Sequence, residues 1–213
     1  MSISLPNGAI VAIASGYGSA LTVTAATNAS PCVMTSTAHG LVNGDFIEVS
    51  SGWGRLDQKV VRVSGVTANT FNLEGQDTTL VTIYPAGAGI GSVRKVTGYT
   101  QLSQILSSSS NGGEQQFLTY QFLEADSQKQ IPTFKNAAGL TFSIADDALQ
   151  PGYILAAAAN DDRLKRAVKV TLPSAAILSY NAFISINKTP SLTVNELMAV
   201  QATMSLLAEP VRY

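Results

Sequence analysis

Turn-forming residues interrupt this chain so often that few stretches are left long enough for a helix. Between Ser19 and Tyr84, short runs rich in Val, Ile, Thr and Phe (VTAATNA, CVMTST, DFIEVS, KVVRVSGV, TFNLEG, TTLVTIY) alternate with Gly, Asn and Asp at close intervals. β-Branched and aromatic residues suit a pleated, half-buried surface, and Gly, Asn and Asp supply the turns. The pattern therefore predicts roughly four to six brief strands closing a small barrel or sandwich.

The flanking sequence is also mostly β in character. Ile3 to Ala14 (ISLPNGAIVAIA) reads as an extended start, a turn at Pro6-Asn7-Gly8 and a strand, with a flexible exit at Ser15-Gly16-Tyr17-Gly18. The stretches 85–91 (PAGAGIG) and 107–113 (SSSSNGG) read as connectors, either hinges or loop tips. Between them, VRKVTGYTQLSQIL is ambiguous, because Leu102, Ile105 and Leu106 have helical spacing after a possible Thr100 cap while its Val and Thr content favours strand. Residues 114–123 and 133–144 contain further β-rich segments, with Pro132 suited to an edge or a strand start.

One helix is predicted near Pro151–Asp161, where an Ala run follows Asp146 and Asp147 and is ended by Asn160-Asp161-Asp162. Residues 166–172, 177–186 and 195–207 then read as three long strands. In the last, Val200, Ala202, Met204 and Leu206 share one face and Gln201, Thr203 and Ser205 the other. The expected fold class is mainly β: an antiparallel β sandwich or barrel with one flanking helix, plus an inserted small all-β module. The expected division is a frame of residues 1–18 and 85–213 around a module of residues 19–84.

The surface of such a fold must be poor in charge. Only 13% of the 213 residues are charged, against about 25% in an average soluble domain. Small polar and apolar groups are cheap to desolvate, so this exterior is suited to being covered by other subunits. The net charge of -1 and scattered basic residues argue against gripping nucleic acid, which relies on Lys and Arg displacing counterions. The one basic cluster, Arg163, Lys165, Arg166 and Lys169, reads as a solvated strand or helix end. Cys32 has no second cysteine to pair with, which fits a reducing compartment. With no basic-then-apolar start and no apolar run of ~18 residues, the expectation is synthesis in a cytoplasm and a soluble chain until assembly.

Catalytic constellations are thin. His39 is the one histidine; Cys32, Asp45, Glu48 and Asp57 lie near it in sequence, but His39-Gly40 and Asn43-Gly44-Asp45 read more simply as turns flanking a core Leu41. The pairs Asp146/Asp147 and Asp161/Asp162 are read as an N-terminal cap and a C-terminal turn of the helix rather than as a carboxylate dyad. GAGIG at 87–91 lacks the Lys-Ser/Thr of a phosphate loop. Phe117, Tyr120, Phe122, Phe134, Phe142, Tyr180 and Phe183 are assigned mostly to the core. No catalytic residue, cofactor or metal ligand is assigned.

The segments GGEQQFLTYQFLEADSQKQIPTFKNA, IADD, LPSAAILSYNAFIS and VNELMAVQATMSLLAEPVRY, together with LPNGAIVAIA and VRKVTGYTQLSQI, resemble the major tail tube proteins of long non-contractile-tailed bacteriophages, the lambda-like family. Residues 35–79, with their AHGL motif, look like a small β module of phage tail proteins that is similar to a domain of ubiquitin-activating enzymes. The resemblance implies rings of six copies built by β augmentation and stacked into a hollow virion tail tube, assembled in the bacterial host cytoplasm, through which DNA passes without specific binding. The tape measure, tail terminator and tail tip proteins are the implied partners, and no membrane is. On this reading Ser107, Ser108, Ser109, Ser110, Asn111, Gly112 and Gly113, with Glu124, Asp126, Gln128 and Lys129, are interface loops, and Gln201, Thr203 and Ser205 face the lumen. The alternative is a minor tail or decoration protein whose module binds a carbohydrate or host surface, with Trp53 as the stacking residue.

Overall fold

The computed structural model describes residues 7–213; the expected extended start at Ile3 and the Pro6 of the first turn lie outside the described residues. In chain order the elements are β1 (Ile10–Val23), β2 (Ala25–Ala26), β3 (Cys32–Thr35), β4 (Phe46–Ser51), β5 (Val60–Ser64), β6 (Thr70–Leu73), β7 (Gly91–Leu102), β8 (Ile105–Asn111), β9 (Gln115–Tyr120), β10 (Lys129–Lys135), β11 (Gly139–Ala145), α1 (Pro151–Asp162), β12 (Arg166–Thr171), β13 (Ile177–Ile186), β14 (Ala199–Leu206) and β15 (Val211–Arg212). Among the described residues the protein is mainly β with antiparallel pairing and one helix, as the turn spacing and the Ala run predicted, and its sheet does not close into a barrel.

One sheet runs in the order β2-β3-β6-β5-β4-β7-β1-β12-β13-β14-β11-β8, with β15 added to β13. Its spine is the β1–β7 pair, which registers from Val11↔Leu102 to Val23↔Gly91. Three register shifts between Ala14 and Ala20 bend this pair, and bulges are the usual means of turning a strand without ending it. Ser15–Gly18 is thus a bulged part of β1, not the flexible exit expected from its glycines. Likewise β7 is strand throughout, because Val96, Gly98, Tyr99 and Thr100 continue its ladder with β1. Through the bend, one half of each strand serves the helix-covered end and the other serves β2–β6.

Three apolar clusters follow from this path. Val11, Ile13, Phe142, Ile144, Tyr180, Val200, Ala202 and Met204 pack under α1. Met34, Leu41, Trp53, Phe71 and Leu73 fill the space among β3–β6. Ala14, Phe46, Val60, Val96 and Ala167 join the two. The sheet curls enough for Ser179 Oγ on β13 to donate to the Val60 carbonyl oxygen on β5 at 2.8 Å.

Helix α1 has Pro151 in its first turn, where a missing N–H costs nothing. Its cap is Gln150, with no side-chain hydrogen bond. Asp147 instead shapes the preceding turn, accepting from Leu149 N at 3.2 Å and Gln150 Nε2 at 3.0 Å, so the expected acidic cap is corrected. Gly152 lets the helix approach β7: a Cβ there would lie 2.3 Å from the Gln101 carbonyl oxygen. At the other end Arg163 turns left-handed (φ 54) and donates its N–H to Ala159 O at 3.1 Å. Asp161 then pairs with Lys188, and Asp162 accepts from Leu164 N at 2.7 Å.

Three further expectations are corrected. TTLVTIY is not a strand, because Ile83 N and Tyr84 N both donate to Leu80 O and Asn28 Nδ2 holds the Thr78 and Tyr84 carbonyls at 3.0 and 2.7 Å. The last long strand starts at Ala199, since Asn195 takes φ 64 and breaks extension before it. SSSSNGG is not a loop: Ser107–Asn111 extend β8 along β11, from Ser107↔Ser143 to Asn111↔Gly139.

Candidate assembly surfaces

Cross-strand register brings the polar positions of four strands onto one face. Ser109↔Thr141↔Thr203↔Ser185 form one row, Ser107↔Ser143↔Gln201 the next, and Asn111↔Gly139↔Ser205↔Phe183 a third. Their buried neighbours Phe142, Ile144, Val200, Ala202 and Met204 point to α1, so these rows lie on the opposite side of the sheet. None of the residues in the rows is ionisable. Gln201 and Ser205 are exposed, Thr203 is half-buried, and its hydroxyl lies 3.5 Å from that of Thr141. The sequence-predicted strand residues are thus part of a wider uncharged, hydroxyl-rich surface.

At the margin of that surface is a free edge. β8 pairs with β11 on one side and with no strand on the other among the described residues. Ser107, Ser108, Ser109, Ser110 and Asn111 are all exposed. Natural edge strands are usually guarded by Lys, Pro or a covering loop, because unpaired N–H and C=O groups recruit other strands. The sequence ILSSSSN of β8 contains neither Lys nor Pro.

Beyond Asn111 the last two strands of the sheet run on as an arm. Gly112 and Gly113 have φ 69 and 78, and Gly113 N donates to Asn136 O while Asn136 N donates to Glu114 O, so the ribbon kinks without losing its ladder. A Cβ at Gly112 would stand 1.9 Å from the Ala137 carbonyl oxygen. β9 and β10 then form a separate hairpin, with Leu118↔Ile131 on one face and Phe117↔Pro132 on the other. Glu124, Asp126 and Gln128 lie in its tip, and Lys129 opens β10. Pro132 sits in a two-stranded ribbon, where an edge position is guaranteed.

The arm, together with Phe183 on β13, overturns part of the core assignment. Phe142 and Tyr180 are buried, but Phe117, Phe122, Phe134 and Phe183 are exposed by 54%, 56%, 67% and 45%. Leu118, Leu123 and Ile131 are exposed with them. An isolated hairpin is marginal in water, and here both of its faces are apolar. The sequence carried a signal that was missed: Phe117-Leu118 and Phe122-Leu123 place apolar groups on both parities of a short run, so one of each pair has no core to face.

The remaining chemistry is structural. Glu48 is 3% exposed and accepts from Arg94 Nε at 2.5 Å and Asn181 Nδ2 at 2.8 Å, with Lys165 Nζ also at 2.5 Å. Arg94 lies 4.0 Å over the Tyr17 ring, whose hydroxyl accepts from Ala167 N. This cluster bolts β4 to β12 and β13. Of the basic cluster, read from sequence as a solvated strand or helix end, three of four residues are instead spent in such contacts: Lys165 on Glu48, Arg166 on Asp162, and Lys169 over the rings of Tyr99 and Phe46.

His39 is buried, accepts from Leu41 N at 3.1 Å and meets Phe71 edge-on, as the turn reading had it. Cys32 is buried, which pushes its thiol pKa up and away from reactivity. Trp53 is 1% exposed and donates Nε1–H to Pro85 O at 2.8 Å, so its ring faces are covered and cannot stack on a sugar. Among the described residues no His, Cys, Asp or Glu cluster could hold a metal, and no helix is long and apolar enough to cross a membrane.

A bare edge, an apolar arm and an uncharged face are features of a surface rather than of a catalytic site. The comparisons say what kind of protein carries them. The sequence model described as phage tail tube protein, TTP, matches residues 51–213. The chain belongs to that family, so it is a structural protein of the phage virion tail. No curated protein matches it. Among solved structures it is similar to the tube-terminating cap of the anti-feeding prophage, at 18% identity, with a TM-score of 0.38 and 53% of this chain and 81% of that one covered; a likeness of this size carries no argument.

Proposed function

We propose that this chain self-assembles into rings of six copies that stack into the tail tube, and that the phage genome passes through the tube at ejection. The observation that carries this reading is the uncharged hydroxyl face beside a free edge strand. Copies joined laterally through β8 would continue the sheet around an axis, by the same main-chain pairing that adds a strand to any open edge. The contact is heterologous, so it closes only if the rotation per copy divides a full turn.

With Ser107, Ser109, Thr141, Ser143, Gln201, Thr203 and Ser205 turned inward, the lumen would present mainly hydroxyls and amides, with the exposed Phe183 ring beside Ser205. Such a wall releases no counterions from a passing polyanion, so it does not hold DNA, and it presents no carboxylates to repel it. The arm, including Glu124, Asp126, Gln128 and Lys129, reaches out of its own subunit to a neighbouring one. Residues 19–84 are an inserted module on the frame of residues 1–18 and 85–213, carried on the outside of the tube by the Glu48 bolt. The tape measure, tail terminator and tail tip proteins are its partners in the tail.

Electron microscopy of the purified protein across a concentration series tests this reading. Hollow tubes of uniform diameter are the expected result. A chain that remains monomeric by sedimentation at millimolar concentration would contradict it.

A further inference from the structure

The Glu48 bolt holds an amine and a carboxamide against one carboxylate oxygen. Oε1 of Glu48 accepts from Lys165 Nζ at 2.5 Å and from Asn181 Nδ2 at 2.8 Å, while Oε2 is taken by Arg94 Nε at 2.5 Å. Two nitrogens bonded to one oxygen stand roughly 4–5 Å apart, so the Lys165 amine is beside the Asn181 carboxamide. Register explains the meeting: Ala167 lies opposite Asn181, so Lys165, one residue ahead of β12, is a diagonal neighbour on the same face, within reach of a long side chain. Glu48 and Asn181 are both buried, and Gln58 Oε1 accepts a second hydrogen of Lys165 Nζ at 2.5 Å. Two features are left unbalanced. One carboxylate answers two cations, Arg94 and Lys165. Asn181 Oδ1 is buried with no hydrogen-bond partner among the described residues, which a purely structural asparagine rarely leaves.

We infer that Lys165 and Asn181 join in an isopeptide bond, with Glu48 as the acid–base group. Glu48 Oε1 takes a proton from the Lys165 ammonium. The freed Nζ lone pair attacks Asn181 Cγ and pushes the C=O electron pair onto Oδ1. The protonated carboxyl gives its proton to Nδ2 and receives one from Nζ, which puts the leaving group in its ammonia form. The Oδ1 electron pair then re-forms the C=O bond, the Cγ–Nδ2 bond breaks, and ammonia departs, taking the last proton from Glu48 as ammonium. A lysine ammonium and an asparagine carboxamide have become a secondary amide and ammonium, with no oxidant or other co-reactant. Free in water such a pair is inert, but neighbours held in place beside a positioned acid–base group gain the effective concentration of an intramolecular reaction. The charge balance favours the product, since the departing ammonium leaves Arg94 alone with Glu48 and removes an uncompensated cation from a half-buried site. Arg94 is a positioning residue: by holding Oε2 it turns Oε1 to both reactants. Glu48 is on β4 and Gln58 on the connection to β5, whereas the reactants flank β12 and β13. The bond therefore forms only after those two parts of the fold have closed on each other.

Peptide mapping by mass spectrometry of the purified full chain, incubated in mildly alkaline buffer, tests this. Trypsin does not cut at an acylated lysine, so the bond shows as one branched product joining residues 164–166 to residues 170–188, lighter than the two peptides together by one ammonia. Intact mass alone does not decide, because Asn43-Gly44 and Asn111-Gly112 can also shed ammonia by cyclising. Lys165→Arg keeps a cation on Glu48 without a nucleophilic amine, Glu48→Gln keeps the side-chain shape without the base, and Lys188→Arg, which faces Asp161 elsewhere, is the control. The expected result is the branched product in most parent and Lys188→Arg molecules, at least tenfold less of it in Glu48→Gln, and none in Lys165→Arg. A cooperatively folded parent that yields only the unbranched peptides would overturn the inference, as would parental yield of the branched product from Glu48→Gln. The parent's map decides whether the bond exists even if Glu48→Gln does not fold, and the outcome is independent of tube assembly.

Discussion

Substituting Gly112 by Ala probes the arm without touching a core. The residue has φ 69, and its new Cβ would stand 1.9 Å from the Ala137 carbonyl oxygen. A left-handed conformation costs a non-glycine residue about 1–2 kcal/mol, and the overlap cannot be relieved by a side-chain rotation because the obstacle is backbone. The ribbon must therefore open at Asn136–Ala138, giving up one or both of the Gly113–Asn136 and Asn136–Glu114 hydrogen bonds at about 0.5–1.5 kcal/mol each. The total, about 2–4 kcal/mol, falls on the junction between β8–β11 and β9–β10. None of the three apolar clusters includes β9 or β10, so the melting temperature should hardly move while the arm changes direction.

Gly75→Ala is the control: it has φ 71 but nothing within 4 Å of the new Cβ, so it carries the strain without the clash. Scanning calorimetry and pelleting assays on both variants give the comparison. The expected result is Gly112→Ala with near-parental melting and tube yield down by tenfold or more, against Gly75→Ala melting slightly lower with parental tube yield. Parental yield from Gly112→Ala would refute the idea that the arm's direction is set at this kink.

Glu48→Gln keeps the side-chain shape but removes the charge facing Arg94 and Lys165, which are 36% and 29% exposed and can partly re-solvate. The loss should be about 2–3 kcal/mol rather than the ~3–5 of a fully buried pair, or roughly 4–12 °C in Tm for a domain of this size; an unchanged Tm would contradict the bolt. Burial holds the phenol of Tyr213 up to about 12 and raises those of Tyr99 and Tyr180 as well. The folded chain thus keeps protons that the unfolded chain loses above pH ~10, so stability should be intact below that pH and fall as pH rises beyond it. A urea midpoint that stays flat from pH 9 to 11.5 would disprove this. Trp53→Ala should cost about 3–5 kcal/mol, the price of a buried aromatic, and leave glycan-array signals at background; a specific glycan signal from the parent that vanishes in the variant would reopen carbohydrate binding.

Much of the fold was legible because strand and turn are written locally. The alternation of Val200, Ala202 and Met204 with Gln201, Thr203 and Ser205 gave both the strand and its two faces, and the Ala run after Pro151 gave the helix. What escaped depended on distant partners. Ser107–Ser110 have no strand propensity to speak of, and only the register with Leu140–Ser143 makes them β. Gly16 and Gly18 looked like an exit because a bulge and a turn use the same residues. The arm was hidden for the opposite reason: Phe117, Phe122 and Phe134 have core composition, and only the apolar groups on both parities at Phe117-Leu118 and Phe122-Leu123 signal that they are exposed.

The uncharged face is the centre of this account, and a helical reconstruction of the assembled tube at side-chain resolution tests it most directly. The account predicts that Ser109, Thr141 and Thr203 line the lumen, with β8 hydrogen-bonded to a strand of the adjacent copy. Those residues on the outer wall, with α1 facing the channel, would contradict it.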